Sequence, residues 1–225
     1  MFKEIFLFEL RLAVKKPATY IYFGVFFIIT FFIGLAVSGV FDTSSSDSNQ
    51  LANSPFAVTS ILQGTSILFS LLVSIMLISV VATAIQKDYQ YNTHPFFFTK
   101  PISKADYFFG RFTSVFLVAA LIISGQVLGY FSGTLFGVGS PQMGPFNLVN
   151  YLQPYFLFTL PNLFVFAVIF FSLTTYTRGT MAAYIVALII MVLQFMAGPL
   201  SQNLDYKELA AILEPTGSNA FRLVT

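Results

Sequence analysis

Five long apolar stretches, almost free of charged residues, dominate the chain. They are Tyr20–Val40, Phe56–Ile85, Phe108–Phe131, Tyr151–Leu173 and Thr180–Leu200. Their one charged side chain is Arg111, near the start of the third stretch. A helix crosses a bilayer with about 20 apolar residues. The sequence therefore predicts an all-α, polytopic membrane bundle, with residues 20–200 forming a five-span domain.

The composition argues against soluble, catalytic and nucleic-acid-binding classes. Charged residues make up 9% of the chain, against about 25% in a typical soluble domain. The net charge of +2 gives no reason to expect a nucleic acid partner. Without cysteine and with one histidine, the chain has no thiolate site and no histidine cluster for a metal. It also lacks the phosphate-binding G-x-x-x-x-G-K-[ST] motif, so we predict no catalytic, cofactor-binding or metal-binding residue.

The positive charges predict the orientation in the membrane. Nine of the 11 Lys and Arg residues lie before the first stretch, between the second stretch and Arg111 (with Arg111 included), or in the turn at Arg178. Lys and Arg are enriched in cytoplasmic segments of membrane proteins. We therefore predict a multi-pass protein of the cell membrane, inner or plasma, with a cytoplasmic N-terminus.

Residues 1–19 are predicted to form an N-terminal unit, an amphipathic elbow helix that Pro17 ends before the first span. At about 100° per residue, the two faces separate into apolar Phe2, Phe6, Leu10 and Ala13 and charged Glu4, Arg11 and Lys15. Such a helix can lie in the plane of the membrane interface. Two interpretations stay open here, a basic anchor that sets topology and an elbow that also touches a partner.

Small residues at helical spacing predict close packing of membrane helices. One set is Gly125, Gly129, Gly133 and Gly137, and the other is Ser66, Ser70 and Ser74. Each set repeats every four residues and so follows one side of a helix. The packing interpretation covers contacts within the subunit and across a dimer, and a translocation surface is the alternative.

The most polar part of the chain, residues 86–107, joins the second and third stretches and contains three consecutive aromatic residues, Phe96, Phe97 and Phe98. We call it the coupling loop. Aromatic residues surrounded by charge suit docking to another protein, because interface cores favour aromatics and rims favour polar groups. A cluster that dips into the lipid interface is the alternative, and the residues alone do not separate the two.

The order of residues in and after this loop resembles a known pattern. It runs Asp88, Asn92-Thr93, Pro101-Ile102-Ser103-Lys104 and Phe109-Gly110-Arg111. This resembles the loop between the second and third spans of type-2 ABC transporter permeases, with Asn92 where that family often has Gly. The stretches "FELRLAVKKPATYIYFGVFF", "NTHPFFFTKPISKADYFFGRF" and "GPFNLVNYLQPYFLFTLPNLF" resemble one subset more closely. That subset is the permease segment opening long chains that carry a zinc aminopeptidase-like domain.

The resemblance implies a permease that docks a cytoplasmic ABC ATPase subunit through the coupling loop. The predicted docking residues are Asp88, Thr93, His94, Phe96, Phe97, Phe98, Pro101, Ser103, Lys104 and Arg111. Five of these, Asp88, Thr93, Pro101, Ser103 and Arg111, match the family's motif, whereas the three phenylalanines are predicted from their chemistry. ATP and magnesium would then bind the ATPase. The resemblance also implies a second permease half, the same chain or a different one.

Family permeases have six spans per half, and five are predicted here. Residues 201–225 are therefore expected to form an outer-face segment before a sixth span. Either the gene continues into that span, or this chain is a fragment of a longer protein. Within that segment, an apolar face of Leu209, Ile212 and Leu213 predicts a short surface helix.

The function predicted from these observations is that of the membrane-spanning permease subunit of an ATP-driven ABC exporter. The first alternative is a membrane scaffold that anchors a complex without transporting anything. The second is a membrane-embedded enzyme, for which the sequence offers no catalytic dyad. An ATPase whose activity responds to a substrate would separate the exporter from the scaffold.

Overall fold

The computed structural model describes residues 2–40, 51–68, 70–82, 103–141 and 143–202. The helices, in chain order, are α1 (Phe2–Val14), α2 (Pro17–Val37), α3 (Pro55–Leu68), α4 (Ser70–Leu77), α5 (Lys104–Leu135), α6 (Val149–Pro154), α7 (Leu160–Thr177) and α8 (Met181–Gln202). Two π-helical turns occur, Ile78–Ala82 after α4 and Tyr155–Thr159 between α6 and α7. The part of the chain described contains no strand, and the all-α prediction is confirmed for it.

Helices lie over all five predicted membrane stretches. Within the described residues, three helical segments are long and apolar enough to cross a membrane, namely Pro17–Val37, Ala105–Leu135 and Val149–Thr177. The other two stretches contain shorter apolar helical segments, Leu72–Val81 and Met181–Leu193. A multi-pass membrane protein is therefore supported, while the count of five spans stays a prediction.

Pro17 separates the first two helices. Lys16 is extended, with φ −70° and ψ 131°, as expected before a proline. Pro17 then starts α2, where its missing N–H is not needed. The Thr19 hydroxyl donates across the break to the Ala13 carbonyl oxygen at 2.7 Å. α1 is thus a distinct helix tied to the start of α2, and its position in the membrane interface stays a prediction.

The central helix of the bundle is α5. Of its most apolar window, 61% is buried inside the protein, against 17% for α2 and for the helical segment Val149–Thr177. α2 runs parallel to α5, as shown by the successive contacts of Gly125 with Phe23 and of Gly133 with Phe31. α7 runs antiparallel to both, because Phe164 packs on Phe116 and Phe171 on Phe112.

The bundle has two ends, which we name by their residues. Ser103, α1 and the α7–α8 turn lie at the loop end, and Ser38, Asn53 and Gly144 lie at the far end. At the far end, the Ser140 hydroxyl donates to the Ser38 carbonyl oxygen at 2.9 Å.

Candidate coupling site at the junction of α1 and α5

Most of the predicted docking loop lies outside the described residues. This applies to Asp88, Thr93, His94, Phe96, Phe97, Phe98 and Pro101. Among the other predicted docking residues, Ser103 is exposed and directly precedes α5, which begins at Lys104. Arg111 lies two turns further along that helix. The structure therefore locates the exit of the coupling loop at the loop end of the central helix.

Arg111 is buried against α1, with 5% of its surface exposed. Its Nε and Nη2 atoms donate to Oε1 of Glu9 at 2.9 and 2.7 Å. Its Nη1 atom donates to the Tyr107 hydroxyl at 2.7 Å, and its Cζ atom lies 4.8 Å from the centre of the Tyr107 ring. Charge-assisted hydrogen bonds of this length are among the stronger ones in proteins. We call Glu9, Tyr107 and Arg111 the coupling joint.

A glycine allows α1 to approach α5 at this point. A Cβ atom added to Gly110 would lie 3.3 Å from Cγ2 of Ile5 and 3.4 Å from the Phe2 carbonyl oxygen. Those distances are tight for a side chain, so the two helices meet here with little space between them. The Glu9 carboxylate, 7% exposed, is held between them.

The burial of this ion pair makes the contact between the helices selective. Removing both charges from water is unfavourable, and the pair compensates for this only when the geometry is good. Sliding α1 along α5 would separate the carboxylate from the guanidinium while both remained buried. The ion pair therefore favours one arrangement of α1 on α5 over its neighbours.

Glu9 was missed as a site residue by the sequence reasoning, although a signal was present. At about 100° per residue, Glu9 lies about 20° from Phe2, at the edge of the predicted apolar face, and Ile5 lies on its other side. A carboxylate in such a position needs a cationic partner once the face is buried. The sequence did not show that the partner is Arg111, which had been predicted only as part of the loop motif.

The predicted glycine set lies against α2 and Ser38, the residue that follows it; three of its members are in α5, and Gly137 comes two residues after the end of α5. A Cβ atom on Gly125 would lie 2.9 Å from the Phe23 carbonyl oxygen, and one on Gly133 would lie 3.0 Å from Cα of Gly34. At Gly129 it would collide with the Phe27 carbonyl oxygen and Oγ1 of Thr30, and at Gly137 with Ser38. We call this contact, from Gly125 to Gly137, the glycine seam. In the described structure, its partner helix belongs to the same subunit.

Comparison with protein families decides the class. Residues 13–194 match the family model described as "ABC-2 family transporter protein". The chain belongs to this ABC-2 family. No curated protein and no solved structure matched it. The ABC-2 assignment makes the chain a membrane transport component, consistent with a role other than catalysis.

Ser74, the member of the serine set whose side chain is described, lies away from the seam in this ABC-2 chain. Ser74 is buried and lines an apolar cavity of about 200 Å³ between α4 and α8, together with Ile75, Tyr184, Ala187 and Leu188. The side chains of Ser66 and Ser70 lie outside the described part. Ser74 and the glycines of the seam therefore occupy different surroundings.

Polar side chains within the ABC-2 helices join neighbouring helices. The Gln126 side-chain amide donates to the Leu62 carbonyl oxygen at 2.9 Å and to the Thr65 hydroxyl. The Tyr155 hydroxyl donates to the Ala120 carbonyl oxygen at 2.8 Å. These bonds connect α5 to α3 and to the π-helical turn after α6, and they engage groups that could otherwise face a substrate.

The far end is held by Asn53. Its Nδ2 atom donates to the Gly144 carbonyl oxygen at 2.7 Å and to that of Pro145 at 3.1 Å. Its Oδ1 atom accepts from the Gly144 N–H at 2.8 Å. The Asn150 side chain in turn donates to the Asn53 carbonyl oxygen at 2.9 Å. The segment before α3 is thereby fastened to the connection between α5 and α6.

Proposed function

We propose that the chain is the membrane half of an ATP-driven ABC exporter. It would work with a separate ATP-hydrolysing subunit, which binds ATP and magnesium, and with a second permease half. The observation that carries this proposal is the ABC-2 family match over residues 13–194. The Lys and Arg distribution supports a cytoplasmic loop end in the cell membrane, where an ATPase could reach the coupling loop.

The geometry supports a direct mechanical connection. The coupling loop, residues 86–107, ends with Ser103 and the first turn of α5, the most buried of the long apolar helices. Displacement of the loop by ATPase closure would therefore act on the helix that contacts most of the bundle. α2 would follow α5, because the glycine seam leaves no space between their backbones.

Within the family, we place the chain beside the permease segments that open chains with a zinc aminopeptidase-like domain. Residues 8–27, 92–112 and 144–164 support this placement by their resemblance. If it is right, all three stretches will be more similar to that subset than to permeases encoded alone. Higher similarity to stand-alone permeases would reject it.

The test of the proposed function is purification with the ATPase. We expect an ATPase with a P-loop to co-purify with the chain in mild detergent, and its activity to respond to reconstitution into liposomes. Absence of any such ATPase, in a chain that inserts and folds, would favour the scaffold alternative.

Docking through the phenylalanines is tested by the double variant Phe97→Ala, Phe98→Ala. Loss of an interface hot spot costs about 2 kcal/mol or more, which is roughly a thirtyfold loss of affinity. The matched control is Phe136→Ala, which removes a 68% exposed phenylalanine from the other end of α5. Unchanged ATPase binding by the double variant would favour the lipid-dipping interpretation.

A further inference from the structure

We infer that the coupling joint transmits displacement of the start of α5 to α1 and, through it, to α2. Glu9, Tyr107 and Arg111 would then be positioning residues for transport, which act through the helices that they join. The inference rests on the proposed function, since it needs an ATPase to displace α5.

The first step is the attachment of α1. Its buried side chains are Glu9 and Ala13, so the joint occupies the middle of the surface that α1 presents to the bundle. Two donors of one guanidinium converge on a single carboxylate oxygen, at 2.9 and 2.7 Å. Such an attachment resists sliding and rotation better than apolar packing does, because its energy depends on direction.

The second step is the connection from α1 to α2. Only the break at Lys15 and Lys16 separates the two helices, and the Thr19 hydroxyl closes it by donating to the Ala13 carbonyl oxygen at 2.7 Å. α2 then returns to α5 along the glycine seam. Each of the three helices, α1, α2 and α5, therefore contacts the other two. The joint is the contact between α1 and α5 at the loop end.

The third step follows from the position of the joint. Tyr107 and Arg111 lie in the first two turns of α5, immediately after Ser103. The glycine seam begins only at Gly125, more than three turns further along. Without the joint, the start of α5 could bend away from α1 without displacing α2 at the seam. With the joint, α1 and the start of α2 move together with the start of α5.

The experiment measures the movement of two sites against α8 in the reconstituted complex. The chain has no cysteine, so spin labels can be placed at Met181, which is 79% exposed, and at either Ser103 or Phe8. The labelled chain is diluted with unlabelled chain, and the ATPase subunit is made cysteine-free. Pulsed EPR compares the distances without nucleotide and after trapping with Mg-ATP and vanadate.

Glu9→Gln is the main variant, because it removes the charge while keeping the side-chain shape. Tyr107→Phe is the second variant and removes only the hydroxyl that accepts from Arg111, so it serves if Glu9→Gln fails to fold. Glu4→Gln, on an exposed part of the same helix, is the matched control. We expect both sites to move in the parent and in the control.

In Glu9→Gln, Ser103 should still move, whereas most of the distance shift at Phe8 should be lost. Tyr107→Phe should reduce the Phe8 shift in the same direction. If the joint only stabilises the fold, both shifts will stay as in the parent. That result would overturn this inference and leave the proposed function standing. Absence of movement at both sites in the parent would overturn the proposed function and the inference with it.

Discussion

At the scale of single residues, Gly129 shows that the close approach of α2 and α5 requires positions without a side chain. A Cβ atom there would collide with the Phe27 carbonyl oxygen and with Oγ1 of Thr30. The first of these is a backbone atom, which moves only if α2 moves. Thr30 is also fixed, because its hydroxyl donates to the Phe26 carbonyl oxygen at 2.7 Å. Any side chain at position 129 therefore has to push α2 away from α5.

Gly129→Leu is predicted to destabilise the folded protein strongly. Overpacking typically costs about 1–3 kcal/mol, and occasionally more, and a clash with a neighbouring backbone belongs at the upper end. The measurement is folded yield and thermal aggregation in detergent. Gly24→Leu is the matched control, since a Cβ atom at Gly24 meets nothing within 4 Å. Equal behaviour of the two variants would contradict the role assigned to the seam.

At the scale of helices, two kinds of contact hold the bundle together. α1, α2 and α5 meet through the joint and the glycine seam, where backbones lie close. α3 and the segment around α6 are attached to α5 by side-chain hydrogen bonds, such as that of Gln126 to the Leu62 carbonyl oxygen at 2.9 Å. Hydrogen bonds can be exchanged for others at small net cost, whereas a steric seam cannot. We therefore expect α1, α2 and α5 to move together.

Asn53→Ala is predicted to loosen the far end without disturbing the seam. The variant loses the side-chain bonds to Gly144 and Pro145, each of which contributes about 0.5–1.5 kcal/mol. Proteolysis within residues 143–148 should become faster and the thermal midpoint should fall. Asn147→Ala is the control, because Asn147 is exposed and bonds only locally in the described structure. A protease pattern identical to that of the control would show that the Asn53 contacts do not hold this connection.

At the scale of the whole molecule, the bundle has two chemically different ends. The loop end includes a cavity of about 630 Å³ lined by Phe108, Phe171, Ser172, Thr175, Tyr176 and Arg178. The far end includes one of about 370 Å³, whose polar lining side chains include Asn53, Thr134 and Ser140. Orientation in the membrane decides which of the two faces the ATPase.

Single cysteines at the two ends test the orientation. Val138→Cys, at a far-end position that is 72% exposed, should react with an impermeant thiol reagent in intact cells. Tyr176→Cys, at a loop-end position that is 90% exposed, should react only after permeabilisation. The parent chain has no cysteine and supplies the background. The opposite labelling pattern would place the coupling loop outside the cell and contradict the proposed docking.

The sequence by itself determined the features that depend on local periodicity. The apolar runs located helical segments, three of which are long enough to cross a membrane, because a chain in lipid has to satisfy its backbone hydrogen bonds within the helix. The spacing of the α5 glycines marked one side of that helix, and Pro17 marked the end of α1. The loop motif and the three quoted stretches pointed to the permease family.

Only the tertiary structure decided which surfaces meet. It assigned the glycine seam to α2 of the same subunit, and it brought Glu9 to Arg111, 102 positions away in the chain. Helical periodicity says which residues share a face, but not which other helix covers it, because that choice depends on the packing of the whole bundle. A buried carboxylate finds its cation only after both helices are in place, so the joint is a property of the fold.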